Sequence, residues 1–187
     1  MTDAPALSGQ LLVARSRLAD PSFHRTVVLL LDHGDDGAFG VVLNRPVPVD
    51  VDVVLPAWQD AVAEPAVLFQ GGPVGLDGAI GVAVAPVGAA LPATVDRMVG
   101  PFGLVDLDSD PADLAGRVTG VRVFAGHSGW GAGQLEEEIE EGAWFVVPAE
   151  ADDAMTAEPD DLWRRVLRRQ GGDLAIVSTF AEDASLN

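Results

Sequence analysis

The chain has 187 residues, 29 acidic against 11 basic side chains for a formal charge of −18, 48% hydrophobic residues and no cysteine. That length suits one domain, 1–187, able to bury a core without a disulfide or metal staple, and its Val, Leu and Phe content excludes a disordered acidic tail. Every basic residue is arginine and tyrosine is absent, which excludes lysine-dependent phosphate-loop ATPases, kinases and Schiff-base enzymes, and with cysteine missing also thiol nucleophiles, iron–sulfur clusters and thiolate zinc sites.

Met1 to Ala14 carries Asp3 and no basic stretch ahead of an apolar run, so no secretory leader is expected and the cytoplasm is the expected compartment. Gln10 to Arg15 reads as a strand. Arg25 to Leu31 and Ala38 to Leu43 are matched apolar runs around His33-Gly34-Asp35-Asp36-Gly37, which predicts a hairpin. Pro56, Trp58 and Val62 suggest a short helix, and Val67 to Phe69 and Ala79 to Ala85 two strands separated by Gly71-Gly72-Pro73-Val74-Gly75. Val118 to Phe124 reads as a strand entering a strand-to-helix turn, Gly126 to Gly133, with a helix over Gln134 to Glu141, a cap at Gly142 and a strand over Trp144 to Val147. Pro159 to Gln170 has the apolar stripe Leu162, Trp163, Val166, Leu167 of an amphipathic helix stopped by Gly171-Gly172, and Asp173 to Ser178 reads as a final strand. Strands and helices mix without a regular βαβ repeat, which predicts an α+β fold.

The charge is uneven: residues 1–100 hold 11 acids and 5 arginines, residues 101–187 hold 18 and 6. The acids cluster at Asp106–Asp113, Glu136–Glu141 and Glu150–Asp161. Asp106-Leu-Asp108-Ser-Asp110 starts like a calcium loop, but Pro111 stands where the glycine must be, so a solvated turn and no metal is expected. Gly78 to Val95 is free of charge and long enough to suggest a membrane span, yet Pro86 and Pro92 interrupt it and Ala and Gly dominate it, so it reads as a buried strand and a loop, with no membrane association. A surface this negative repels phosphate backbones, so no direct nucleic-acid binding is expected; Arg164, Arg165, Arg168 and Arg169 read as a solvated helix face.

With these segments laid out, the chain resembles the YqgE/AlgH family of bacterial proteins. The residues that carry the likeness are Gly9-Gln-Leu-Leu-Val-Ala14, Asp20-Pro-Ser-Phe23-His-Arg25-Thr-Val, Gly37-Ala-Phe-Gly40-Val-Val-Leu-Asn44-Arg45-Pro46, Gly71-Gly-Pro-Val74 and Gly129-Trp130-Gly-Ala-Gly-Gln134-Leu-Glu136, followed by Trp144, Leu162-Trp163 and Ser185-Leu-Asn187. The resemblance implies a branched mixed β-sheet including a small barrel, surrounded by helices, and no established reaction. The naming of one member as a regulator of alginate production implies an alternative, a regulator of transcription acting through a partner. The chain departs from the family pattern at Leu76 and Asp77, at Val82 to Ala85, and at His127-Ser128.

Gly126-His127-Ser128-Gly129-Trp130 approaches the nucleophile elbow G-x-S-x-G but ends on Trp130, and an adjacent histidine does not deliver a base to a serine, so no catalytic residue is assigned. Hydrolytic or acid–base chemistry through His33, Asp35 or Ser128 is kept as a second alternative. Asn44, Arg45, Gly71, Gly72 and Pro73 combine a polar side chain, a guanidinium and a glycine loop that could hold a carboxylate or phosphate; the competing reading is that Asn44 and Arg45 stitch a loop while the glycines supply unusual backbone angles. Gly129, Trp130 and Gln134 complete the candidate binding set. The resulting expectation is a non-catalytic module for a small molecule or a partner protein, without cofactor.

Overall fold

The computed structural model describes residues 6–15 and 23–180, so the Met1–Pro5 end, Asp20-Pro21-Ser22 and Ser185-Leu186-Asn187 of the sequence reading lie outside the described residues. Ten strands form one branched sheet: β1 Gln10–Ala14, β2 Val27–Gly34, β3 Gly37–Val42, β4 Pro46–Asp50, β5 Val67–Gln70, β6 Val74–Val84, β7 Val95–Val99, β8 Phe102–Val105, β9 Gly120–Gly131 and β10 Trp144–Pro148. The helices are α1 Gln134–Glu140, α2 Ala151–Ala154, α3 Leu162–Gln170 and α4 Gly172–Val177. The main path runs β10-β1-β2-β3-β9-β6-β8-β7, with β5 added to β9 and β4 to β5. Only the β5–β9 pairing is parallel among the described ladders, which makes the curled, half-barrel sheet mixed and the fold α+β.

β9 is the strand where the sheet divides. Its first half pairs antiparallel with β6, Val84 opposite Gly120 through Ala79 opposite Ala125. On its other side Phe124 and Ala125 meet β5, whereas Ser128 to Gly131 meet β3. Two neighbours on one side require backbones to cross closely, and glycines permit it. A Cβ on Gly71 would collide with the Gly126 carbonyl oxygen, and one on Gly72, at φ +155°, with the His127 carbonyl group. Gly126 itself has φ +69°, a conformation that L side chains rarely adopt.

The apolar runs of β1 and β2 are continuous because both faces are covered. Leu11, Val13, Leu29 and Leu31 pack with Leu162, Trp163, Val166 and Leu167 of α3 on one side. Leu12, Ala14, Val28 and Leu30 pack with Trp130, Leu135 and Trp144 on the other. Fully burying an aliphatic side chain of this kind is worth about 1.5–3 kcal/mol. The Trp163 indole N–H donates to the Ala14 carbonyl at 2.9 Å, so the largest ring of α3 enters the core with its polar atom satisfied. A separate cluster, including Trp58, Val105, Leu114 and Val123, fills the lobe beyond the branch.

Arg122 on β9 is 1% exposed. Its guanidinium donates to the carbonyls of Ala154, Thr156 and Glu64 and lies 4.3 Å from the Phe69 ring centre. Burial pushes its pKa down to about 10. The segment that follows α2 is thereby fastened to the sheet by a single cation. Arg169 fastens the same region from α3 through a two-pronged pair with Asp153, at 2.6 and 2.7 Å.

Several predicted elements change. Residues 172–177 form α4 rather than a strand: Leu174 and Val177, one helical turn apart, pack on the core that α3 covers. The predicted turn from Gly126 is the second half of β9, because the β3 ladder continues to Gly37 opposite Gly131 and shifts the turn to residues 132–133. β4, β7 and β8 are short strands with no signal read for them, β4 because Pro46 and Pro48 mask it, as suits an edge. The uncharged stretch Gly78 to Val95 is the end of β6 and a loop; among the described residues no helix is long and apolar enough to cross a membrane.

The crossing glycines should be far less replaceable than glycines in open turns. Gly72→Ala is expected to cost about 3 kcal/mol or more by forcing strands apart, a fall in melting temperature of roughly 6–12 °C. Gly116→Ala, where φ is +72° but nothing lies within 4 Å of the added carbon, should cost only the conformational term of about 1–2 kcal/mol. Thermal denaturation of the two variants side by side checks this.

Candidate functional site

A cleft of about 420 Å³ opens where the loop before β2, the β3–β4 junction and α3 meet, lined by His24, Arg25, Asn44, Arg45, Asp160, Trp163 and Arg164. Asn44 acts as its staple. Its side-chain oxygen accepts from the Val27 N–H at 2.9 Å and its amide donates to the Arg25 carbonyl at 2.9 Å. That pair of bonds holds Arg25 at φ 50°, the single positive φ among the described non-glycine residues. A left-handed non-glycine residue costs about 1–2 kcal/mol and persists only where its surroundings impose it.

The side chains on the cleft are held in place from several directions. Arg25 donates to the Phe180 carbonyl at 2.8 Å and stacks 4.5 Å over the Trp163 ring. Arg164 donates to the Ser178 carbonyl at 3.0 Å, so α4 helps to place it. Arg45 donates from Nη2 to the His24 carbonyl, and its own backbone carbonyl accepts from Gln70 of β5. Three guanidinium groups, an imidazole and, among the described residues, the exposed carboxylate of Asp160 therefore line one cleft.

The structure brings only part of the predicted binding set together. Asn44 and Arg45 line the cleft. The Gly71 N–H donates to Ala125 and its carbonyl accepts from Val42 and from the Ser128 hydroxyl, so this loop belongs to the strand crossing. Pro73 is exposed beside it. Trp130 and Gln134 meet elsewhere, at Glu138: its Oε2 accepts from the Trp130 and Trp144 indoles at 2.9 and 2.8 Å, and its Oε1 from the Gln134 amide at 3.0 Å. Gly129 lies on the β9 edge that faces β3. His24, Arg25, Asp160, Trp163 and Arg164 join them from positions that no sequence spacing relates, although Arg25 and Arg45 flank the hairpin on either side.

The residues considered for catalysis are engaged differently. Ser128 is fully buried and its hydroxyl donates to the Gly71 carbonyl at 3.1 Å. The neighbouring His127 ring packs against Phe39 at 5.1 Å. The His33 side chain is 5% exposed, its Nδ1 accepts from the Leu7 N–H at 3.2 Å, and its Nε2 sits 2.7 Å from Glu136 Oε1. This network assigns the proton to Nε2 and occupies the lone pair that a general base needs. Asp35 is exposed at the tip of the β2–β3 turn. Among the described residues no three His, Asp or Glu side chains converge as a metal site. Of the four α3 arginines, Arg164, Arg165 and Arg169 bond to Ser178, Thr156 and Asp153, which turns the predicted solvated face into an anchoring one.

The family model described as AlgH-like matches residues 11–175. A UPF0301 protein of Streptomyces coelicolor is 56% identical over 190 aligned residues, covering 100% of this chain and 98% of that one. A UPF0301 protein of Thermobifida fusca is 48% identical with 99% and 98% covered. The crystal structure of a Corynebacterium diphtheriae protein superposes with a TM-score of 0.87 at 37% identity, over 95% of this chain and 94% of that one. The solution structure of the AlgH protein from Pseudomonas aeruginosa does so with 0.69 at 26% identity, over 98% and 99%.

The His33–Glu136 contact has a pH signature. The Glu136 carboxyl is held below the usual carboxylate range, first by a hydrogen bond from its own backbone N–H and further by His33, against an opposing desolvation. A carboxyl with a lowered folded pKa contributes its stability in full above the ordinary carboxylate range and loses it as the pH falls through the folded value. Glu136→Gln should therefore be less stable than the parent at about pH 6, with the difference shrinking toward about pH 3; urea unfolding at both pH values checks it.

Proposed function

Because the chain belongs to the AlgH-like family of uncharacterised bacterial proteins, which its sequence matches over residues 11–175, we propose a non-catalytic role for it: a single-domain module that binds a small anionic molecule in the cleft beside Asn44 and Arg45. The observation that carries this reading is the convergence of Asn44 and Arg45 with His24, Arg25 and Arg164 on one cavity of a chain of charge −18. The strained backbone of Arg25, imposed by Asn44, supports it, because such strain clusters at ligand clamps. The volume, about 420 Å³, falls within the range of small-molecule sites. The buried Ser128 and the fully engaged His33 support a role without catalysis. The cytoplasmic location expected from the sequence is part of the same reading.

A thermal-shift screen of carboxylates and phosphates tests the proposal. A ligand at 100 times its dissociation constant adds about 2.7 kcal/mol, which in a domain of this size raises the melting temperature by roughly 5–11 °C. Arg45→Ala should retain the fold and lose that stabilisation. Stabilisation by the same compounds that persists undiminished in Arg45→Ala overturns the assignment of the site.

A further inference from the structure

We propose that a groove sharing no lining residue with the cleft at Asn44 docks a partner protein, through a segment whose apolar side chains are flanked by lysine or arginine. The groove consists of two adjoining cavities. One, of about 430 Å³, lies between the turns of helix Pro56–Ala61 and Pro111–Leu114 and the chain entering β9, with Ala57, Ala61, Leu114 and Val118 on its walls and Asp60 on its rim. The other, of about 530 Å³, lies between the α2 segment and α3, where Met155 and Ala157 stand beside Glu150, Asp152 and Glu158. Met155 is the joint between them. It lines the second cavity, and its side chain lies so close to Gly120 of the first that a Cβ there would stand 2.9 Å from the Met155 Cγ and Sδ. Arg122 holds the two parts together, donating to the Glu64 carbonyl on one side and to those of Ala154 and Thr156 on the other.

The walls and the rim select for different chemistry. Alanine, leucine, valine and methionine gain by covering apolar side chains, and an unbranched methionine adapts to their shape. The rim is acidic. Two arginines also line it, but Arg169 is bound to Asp153 and Arg165 donates to Thr156. The carboxylates of Asp60, Asp152 and Glu158 are exposed and make no ion pair among the described residues. Cationic side chains on the partner meet them and steer its approach. A second copy of this chain does not supply those cations: it has no lysine and a charge of −18, so two copies set carboxylates against carboxylates. A polyamine supplies the charge without an apolar side chain for the walls.

Fluorescence anisotropy of the full chain with a short labelled peptide of leucines flanked by lysines tests this, beside the same peptide with serine in place of leucine. The leucine peptide is expected to bind with a dissociation constant of about 100 μM or tighter, at least about ten-fold tighter than the serine peptide, and to weaken as salt is raised from about 0.05 to 0.3 M. Asp60→Arg and Glu158→Arg, one in each cavity and both exposed, should each weaken it about five-fold or more while leaving the melting temperature within about 2 °C of the parent. Equal binding of the two peptides overturns the apolar anchor and leaves a surface for any polycation, spermine included. An effect of only one variant overturns the joined groove. A parent chain that sediments as a dimer and returns to monomer in Glu158→Arg makes a second copy the occupant and overturns the separate partner. No binding of the leucine peptide, or binding unchanged in both variants, overturns the site.

Discussion

The close approach of the Gly71-Gly72 backbone to Gly126 and His127 is the constraint on which the molecule is built. β9 can serve β6 on one side and both β5 and β3 on the other only because no Cβ stands between the crossing chains. The crossing also makes its own polar ledger balance: the Gly71 N–H reaches Ala125, and its carbonyl takes Val42 and the Ser128 hydroxyl. Ser128 therefore has a physical reason to be buried and polar. A serine in a glycine-rich stretch here completes a hydrogen-bond count rather than supplying a nucleophile.

The same crossing delivers the cleft. Val42 bonds to Gly71 and Gln70 bonds to Arg45, so the β3–β4 junction that carries Asn44 and Arg45 is clamped to β5. α3 then packs Trp163 against β1, and the turn before it and its half-buried flank bring Asp160 and Arg164 to the same opening. Three segments distant in sequence become one rim, and the positions of their side chains follow from core packing. Arg122 and Arg169 secure the chain just ahead of α3, through three carbonyls and the buried Asp153. Of the Arg169–Asp153 pair the carboxylate is the buried member, so removing the arginine strands a buried charge.

The charge of the chain divides along these lines. Its arginines work mainly as fasteners: Arg97 ties a loop through the carbonyls of Gly100 and Ala89, Arg122 the segment after α2, and Arg165 Thr156. Arginine suits such work because its donors splay in a fixed fan that can meet several carbonyls at once. Where three of them converge on a cavity, one side chain can fasten the fold and still line the opening, as Arg45 does by holding the His24 carbonyl with one nitrogen.

Local chemistry was legible from the residues alone wherever one short segment decides its own conformation. The β2–β3 hairpin, the apolar stripe of α3 and its Gly171 stop, the short turn of helix after Pro56, and the helix over Gln134 to Glu140 are all written in spacing, propensity and turn chemistry, and the motif order sufficed for the family resemblance. Elements whose partners lie far away were not legible. β4, β7 and β8 gain strand character from ladders, α4 from the core surface it meets, and residues 126–131 from β3. The candidate site divides in the same way: Asn44 and Arg45 could be picked out as polar residues at a strand end, but their partners His24, Asp160, Trp163 and Arg164 could not, since no periodicity relates them. Residue types set what each segment could become and which chemistries were absent. Packing alone settled which arginines share a cavity and which spend their donors on the fold, because hydrogen-bond and steric demands at the β9 branch are met only once all three crossing segments are in place.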